Sequence, residues 1–145
     1  MSDAPPSIPS DLVAGETRRE RLLRTGVATP RFLQGVFPFV GRGLFEMGSL
    51  DDGLTYTVPA GRTAQVVYFR AGNHADDLLY LAVAANGVPI RYFPIGPKSD
   101  FHVPLAIVES HAPGTRLEVL FAAPRAVAGT LIIDAGLIEV AQGQG

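Results

Sequence analysis

The clearest β pattern in the chain lies at residues 54–70, LTYTVPAGRTAQVVYFR. Leu54, Tyr56 and Val58 alternate with two threonines, which is the period-2 pattern of a half-buried strand. The Pro-Ala-Gly that follows predicts a turn, because proline removes a backbone donor and glycine accepts a positive φ. The next run is apolar on both faces, which predicts a central strand covered on both sides.

A second strand pair is predicted at residues 77–85 and 88–95, on either side of Asn86-Gly87. Asn-Gly between two apolar runs is a strong hairpin signal, and it predicts a two-residue type I′ turn. Two prolines in the second arm remove donors from the ladder. The second arm is therefore expected near a sheet edge.

Three further strands are predicted downstream, at residues 101–109, 116–122 and 129–140. The last run is apolar almost throughout, and Gly136 inside it predicts a bulge. Together with the runs described above and those within residues 29–50, the chain has about eight strands and no alternation of strands with helices. This rhythm predicts an all-β fold: a single-domain antiparallel β-sandwich or jelly roll with one short N-terminal helix.

The N-terminal part differs in composition from the rest. Residues 1–15 hold three prolines with Ser, Asp and Gly, which predicts an extended or disordered arm that could lie on a neighbouring subunit. Residues 16–24, ETRRERLLR, favour a short helix that Gly26 can end. Its four arginines are interpreted as a solvated face with intrahelical glutamate partners, rather than as a phosphate site. The sandwich domain is placed at residues 16–141, before a frayed tail at 142–145.

Residues 29–50 are rich in apolar side chains but are interrupted by glycines and prolines, so short irregular strands are predicted there. If these side chains were exposed to solvent, the segment would be prone to aggregation or association. They therefore either line the core or form an oligomer interface, and the candidate interface residues are Phe32, Val36, Phe37, Phe39, Phe45 and Met47.

Length and composition narrow the classes of function. The chain has 145 residues, 47% of them hydrophobic, which is enough for one domain with a substantial core. The net charge of −2 gives no field that would attract nucleic acid or an anionic membrane surface. The chain contains no cysteine, which excludes disulfides and thiolate chemistry.

The N-terminus has neither a basic region nor an apolar core typical of a leader, and no segment is long enough to span a membrane. A cytoplasmic or cell-internal location is therefore expected.

The glycines of Gly41-Arg42-Gly43 lack the spacing and the strand-to-helix context of a phosphate-binding loop. No cofactor is expected.

Three histidines, His74, His102 and His111, could hold a metal ion if they converge. A jelly roll with such a site would suggest a cupin-like metal-dependent enzyme. The cupin pattern, however, needs two histidines one residue apart on a strand, and His102 is followed by Val103 and Pro104. No nucleophile elbow is present either.

Asp134 and Glu139 interrupt the last apolar run and could form a carboxylate pair for acid–base chemistry. The simpler interpretation places both on the solvated outer face of a sheet.

Aromatic and cationic side chains in the strands offer a different kind of site. They could form a platform for a small ligand or a saccharide on one sheet face, from Tyr56, Tyr68, Arg70, Tyr80, Arg91 and Tyr92.

The sequence leaves three functional hypotheses open. The first is a non-enzymatic, oligomer-forming structural or protein-interaction module, whose partner is a second copy or another protein. The second is a module that binds a small ligand or saccharide on the tyrosine-bearing face. The third is the cupin-like metal enzyme.

Overall fold

The computed structural model describes residues 15–105 and 108–142. Apart from Gly15, the predicted arm lies outside the described residues, as does the tail beyond Gln142. The described part contains one α-helix, α1 (Arg18–Arg24), and nine strands. The strands are β1 (Ala28–Val40), β2 (Gly43–Ser49), β3 (Thr55–Thr57), β4 (Arg62–Asn73), β5 (Leu79–Ala85), β6 (Val88–Ile95), β7 (Ser99–Pro104), β8 (Arg116–Ala123) and β9 (Ala128–Ala141).

The strands form two antiparallel sheets. Sheet A has the order β1-β9-β4-β7, and sheet B has the order β2-β8-β5-β6, with β3 also pairing with β8. The pairs are nested in the sequence: β5 with β6, β4 with β7, β2 and β3 with β8, and β1 with β9. One long hairpin wrapped into two sheets is the jelly-roll topology. The predicted fold class is confirmed.

The predicted Asn-Gly hairpin is the tip of this long hairpin. Asn86 has φ 51° and Gly87 has φ 83°, so both central residues have the positive φ that a type I′ turn requires. The Asn86 side chain accepts a hydrogen bond from the backbone N–H of Arg116 (2.9 Å). The tip is thereby attached to β8, and β6 forms an edge of sheet B as its prolines predicted.

The core lies between the inner faces of the two sheets. Three of its rings stack across the sandwich: Phe69 of β4 lies 4.4 Å from Phe93 of β6, and Phe101 of β7 lies 5.6 Å from Phe93, between ring centroids. Leu54 and Val58, which alternate in the 54–58 pattern, are both buried. The three phenylalanines come from three different strands of the two sheets, and their packing fixes the spacing of the sheets.

Helix α1 packs on the outside of sheet A. Thr17 caps it in a capping box with Glu20, which explains why the helix begins at Arg18, two residues later than the sequence predicted. Leu22 is buried against Ile138 and Val140 of β9. The short helix therefore covers one end of the outer face of sheet A.

Two local predictions were wrong. Residues 28–40 form one continuous strand rather than short irregular ones, because β1 is an edge strand and tolerates proline. The bulge expected at Gly136 lies on the partner strand: Val66 pairs with Leu137 and Tyr68 pairs with Gly136, so Val67 of β4 is the extra residue. Gly136 itself pairs with Phe32 without a shift.

Candidate functional site: the outer face of sheet A

The end of sheet A that α1 does not cover carries an ordered set of outward side chains. The strand registers align them in three rows, each running from β1 through β9 and β4 to β7. The rows are Val36–Ile132–Gly72–Asp100, Gln34–Asp134–Arg70–His102 and Phe32–Gly136–Tyr68–Pro104.

This part of the face is concave. The first two rows, with the backbone between them, line a groove of about 820 Å³ that crosses all four strands. A second hollow of about 300 Å³ adjoins it near His74, Lys98 and Ser99. Gly72 contributes no side chain to the floor: a Cβ added there would lie 3.9 Å from the Cβ atoms of Asp100 and Ile132. The groove thus has room at its centre.

A polar cluster occupies the middle of the groove. The Tyr68 hydroxyl donates a hydrogen bond to Asp134 (2.9 Å), and the Arg70 guanidinium forms an ion pair with the same carboxylate. The His102 ring stands edge-on to the Tyr68 ring, with 5.8 Å between centroids. Burial and the hydrogen bond to Asp134 raise the pKa of Tyr68, so its hydroxyl remains a donor at neutral pH.

Large apolar side chains surround this cluster on the β1 side. Val36 is 65% exposed, Ile132 is 54% exposed and Phe32 is 53% exposed. Val36 and Ile132 are direct cross-strand partners, so they form one continuous apolar surface. We call Phe32, Val36 and Ile132 the apolar rim.

The six candidate interface residues are distributed over three environments. Phe32 and Val36 lie on the apolar rim. Phe39 is buried in the core and Phe37 packs against it, because alternate residues of β1 point inward. Phe45 is 87% exposed in the irregularly paired part of β2, and Met47 packs on the outside of sheet B against Ala82, Ala84 and Leu120. The structure therefore assigns Phe37 and Phe39 to the core rather than to an interface.

The six predicted ligand-platform residues do not share one face. Arg70 lines the groove of sheet A, and Tyr68 lies in the adjacent row on the same face. Tyr80 and Tyr92 form a pair on sheet B, with 6.3 Å between ring centroids. Arg91 forms an ion pair with Glu109 (2.6 Å), and Tyr56 contacts Glu139. The six residues therefore do not form a single platform, because β4 belongs to sheet A whereas β3, β5 and β6 belong to sheet B.

The three histidines do not converge. His102 faces the groove, and His74 is exposed beside the adjoining hollow. The backbone of His111 forms a two-hydrogen-bond bridge with Ala64, and burial lowers the pKa of its imidazole. Within residues 15–105 and 108–142, no group of three or more His, Asp or Glu side chains could hold a metal ion. The described residues therefore provide no metal site of the kind that the cupin-like hypothesis requires.

Glu139 departs from the prediction in a different way. Asp134 faces outward as expected, but Glu139 points inward and is only 3% exposed. It contacts Arg31 (Nε–Oε2, 3.2 Å), Arg62 (Nε–Oε1, 3.5 Å) and the hydroxyl of Tyr56. Burial alone raises the pKa of the Glu139 carboxyl, but the hydrogen bonds from Tyr56 and Arg31 and the two guanidinium charges together lower it. The buried group is an ionised carboxylate with partners.

The groove combines residues that sequence analysis had considered separately with others it had not considered. Gln34, Gly72 and Ile132 were missed. The available signal was their position in the strands: each occupies the outward register of an otherwise apolar strand, where a small, polar or exposed residue needs a reason.

No family model matches the chain, and none of the curated proteins matches its sequence. Among solved structures, a chain in the structure of infectious bursal disease virus, Gt strain, is 8% identical over 80% of this chain, with a TM-score of 0.47. This chain spans 34% of that viral chain.

Two other solved structures are comparably distant. A chain from the disulfide-linked pili that form Bacillus endospore appendages is 10% identical, covering 79% of this chain and 89% of its own, with a TM-score of 0.41. The CBM36-1 domain of a multidomain xylanase from the hindgut metagenome of Trinervitermes trinervoides is 14% identical, covering 72% and 95%, with a TM-score of 0.39. Likeness at this level does not transfer a function.

In the described part of the chain, no helix is long and apolar enough to cross a membrane.

Proposed function

We propose that this chain is a non-enzymatic structural or protein-interaction module that self-associates through the outer face of sheet A. The observation that carries the proposal is the apolar rim. Helix α1 covers the apolar residues at one end of the face, whereas Phe32, Val36 and Ile132 at the other end are each more than half exposed. Adjacent exposed apolar side chains of this size are typical of interaction sites.

The charges on the same face favour a second copy as the partner. Arg70 and Asp134 form an ion pair on this face and Asp100 lies in the neighbouring row, so the face carries both signs of charge close together. In a twofold interface the same patch meets itself, and each charge of one sign can face the opposite sign on the other copy. A different protein with an apolar, mixed-charge surface is the alternative partner.

The test compares two lysine substitutions by light scattering. Val36→Lys places a charge on the rim, whereas Val88→Lys changes a valine of equal exposure (64%) on β6 of sheet B. We expect the unmodified chain and Val88→Lys to be oligomeric, and Val36→Lys to have a Kd at least tenfold higher, which corresponds to about 1.4 kcal/mol.

If the unmodified chain is monomeric at every concentration at which the protein is soluble, the proposal is refuted. Equal weakening by the two lysines would mean that the contact does not involve the rim. Thermal unfolding of both variants checks that neither substitution has damaged the fold.

A small ligand or saccharide in the groove is the second candidate. It is favoured by the groove volume, which lies in the range of small-molecule sites, and by an aromatic ring beside several hydrogen-bonding groups. A thermal-shift screen with sugars and nucleotides tests it, using Arg70→Ala as the variant that should lose the response. A ligand that stabilises a monomer and loses its effect in Arg70→Ala would favour this candidate over self-association.

A further inference from the structure

We infer that residues 1–14 of a neighbouring copy occupy the groove of sheet A in the oligomer. This inference rests on the proposed self-association and names the segment that completes the interface. The two ideas can fail separately, and the experiment below distinguishes those failures.

The first argument is the shape of the face. The groove is concave across four strands and holds about 820 Å³. Two copies that meet at their apolar rims would leave the floors of both grooves apart. Interfaces pack about as densely as protein interiors, so an empty space of this size would forfeit much of the available contact. An extended segment of chain can fill a groove that a second concave face cannot.

The second argument is the position at which residues 1–14 join the described part of the chain. Gly15 leads into α1, which is seated on this same outer face through Leu22 and Ile138. Ile138 is four residues from Asp134 along β9, which is about 13 Å. Residues 1–14 can extend over at most about 50 Å. The segment therefore joins the described chain on the same outer face as the groove, and its reach exceeds the distance along β9 from the helix site to the groove.

The third argument is the chemistry of the segment, MSDAPPSIPSDLVA. The groove crosses β9 and β4, whose backbone groups are paired on both sides, so its floor offers few backbone partners. A bound segment with few N–H donors suits such a floor, and three of these residues are prolines. Its apolar side chains Ile8, Leu12 and Val13 match the apolar surface formed by Val36 and Ile132.

A complementation experiment with two full-length variants tests the inference. The arm variant carries Ile8→Ser, Leu12→Ser and Val13→Ser. The groove variant carries Gly72→Trp, which fills the open floor; this glycine has no positive φ and its added Cβ makes only ordinary contacts. Val88→Trp, which places the same side chain at an exposed position on the other sheet, is the control. Ile132→Lys replaces Gly72→Trp if that variant has lost its fold by thermal unfolding.

We expect each variant alone to associate at least tenfold more weakly than the unmodified chain, and Val88→Trp to associate normally. Mixing the two variants should restore a mixed dimer, because the intact arm of the groove variant can enter the intact groove of the arm variant. Mass spectrometry under native conditions identifies the mixed species by mass.

Three results would overturn the inference. If the arm variant associates as well as the unmodified chain, another surface fills the groove and self-association still stands. If both variants are weakened but the mixture gives no mixed dimer, the segment folds back on its own copy. If the unmodified chain is monomeric, the proposed function fails together with the inference.

Discussion

At the scale of single residues, the buried carboxylate of Glu139 is the most consequential feature. It lies inside the sandwich, where an unpaired charge would be very costly. Arg31 and Arg62 come from the strands on either side of β9, and Tyr56 approaches from β3 of the other sheet. Hydrogen bonding to the carboxylate also raises the pKa of Tyr56, after the larger effect of burial. These contacts join both sheets at one end of the molecule.

The pKa of Glu139 predicts how stability should depend on pH. Because the folded-state pKa is lower than the ordinary value of 4.5, the ionised group stabilises the fold above that pH. The contribution is lost as the pH falls through the folded-state pKa. We expect Glu139→Gln to lower the free energy of unfolding by about 1–2 kcal/mol at pH 7, because the carboxylate is buried but its partners Arg31 and Arg62 remain partly exposed to solvent.

Urea unfolding at pH 7 and near pH 3 measures this effect. The difference between the unmodified chain and Glu139→Gln should narrow at the lower pH. The same substitution at the exposed Glu46 should have little effect at either pH. A difference for Glu139→Gln that is equally large at both values would show that the charge is not what stabilises the fold.

At the scale of elements, β4 and β9 are joined through an aromatic ring that lies over a glycine. Val67 is the extra residue of the β4 bulge, and the next residue, Tyr68, pairs with Gly136. A Cβ added to Gly136 would lie 2.0 Å from Cε2 of the Tyr68 ring. Only glycine permits this approach, and the approach brings the Tyr68 hydroxyl to Asp134. The bulge and the glycine thus position the polar cluster of the groove.

Two alanine substitutions in neighbouring strands test this arrangement. Gly136→Ala should lower the free energy of unfolding by about 1–3 kcal/mol, because the ring must move and its hydrogen bond is disturbed. Gly72→Ala should be close to neutral, since its added Cβ meets ordinary contact distances. Urea midpoints of the two variants make the comparison. Equal stability of the two would mean that the ring does not depend on Gly136.

At the scale of the whole molecule, self-association and stability should be linked. If the folded chain associates and the unfolded chain does not, association stabilises the fold by mass action. For a dimer, each tenfold rise in protein concentration should add about 1.4 kcal/mol per mole of dimer. Calorimetry over a range of concentrations should show a rising Tm for the unmodified chain and Val88→Lys. For Val36→Lys the rise in Tm should begin only at concentrations at least tenfold higher, and a constant Tm for all three would argue against association.

Local patterns in the sequence predicted the features that depend on neighbouring residues. Alternating side chains indicated the strands, because side chains alternate between the faces of any strand. Asn86-Gly87 indicated its turn because few residues accept two successive positive φ values. The helix-favouring residues at 16–24 and the glycine at position 26 indicated the helix. These elements have the same local requirements in any fold that contains them.

Only the tertiary structure decided which residues meet. The sheet order puts β4 in sheet A and β3, β5 and β6 in sheet B, which separated the six predicted platform residues. It placed Glu139 inside and Asp134 outside, although both interrupt the same apolar strand. Gln34, Asp134, Arg70 and His102 form one row across the groove, yet Gln34 and Asp134 are 100 positions apart in the sequence. Contacts over such separations depend on sheet order and register, which are set by packing of the whole core rather than by any local pattern.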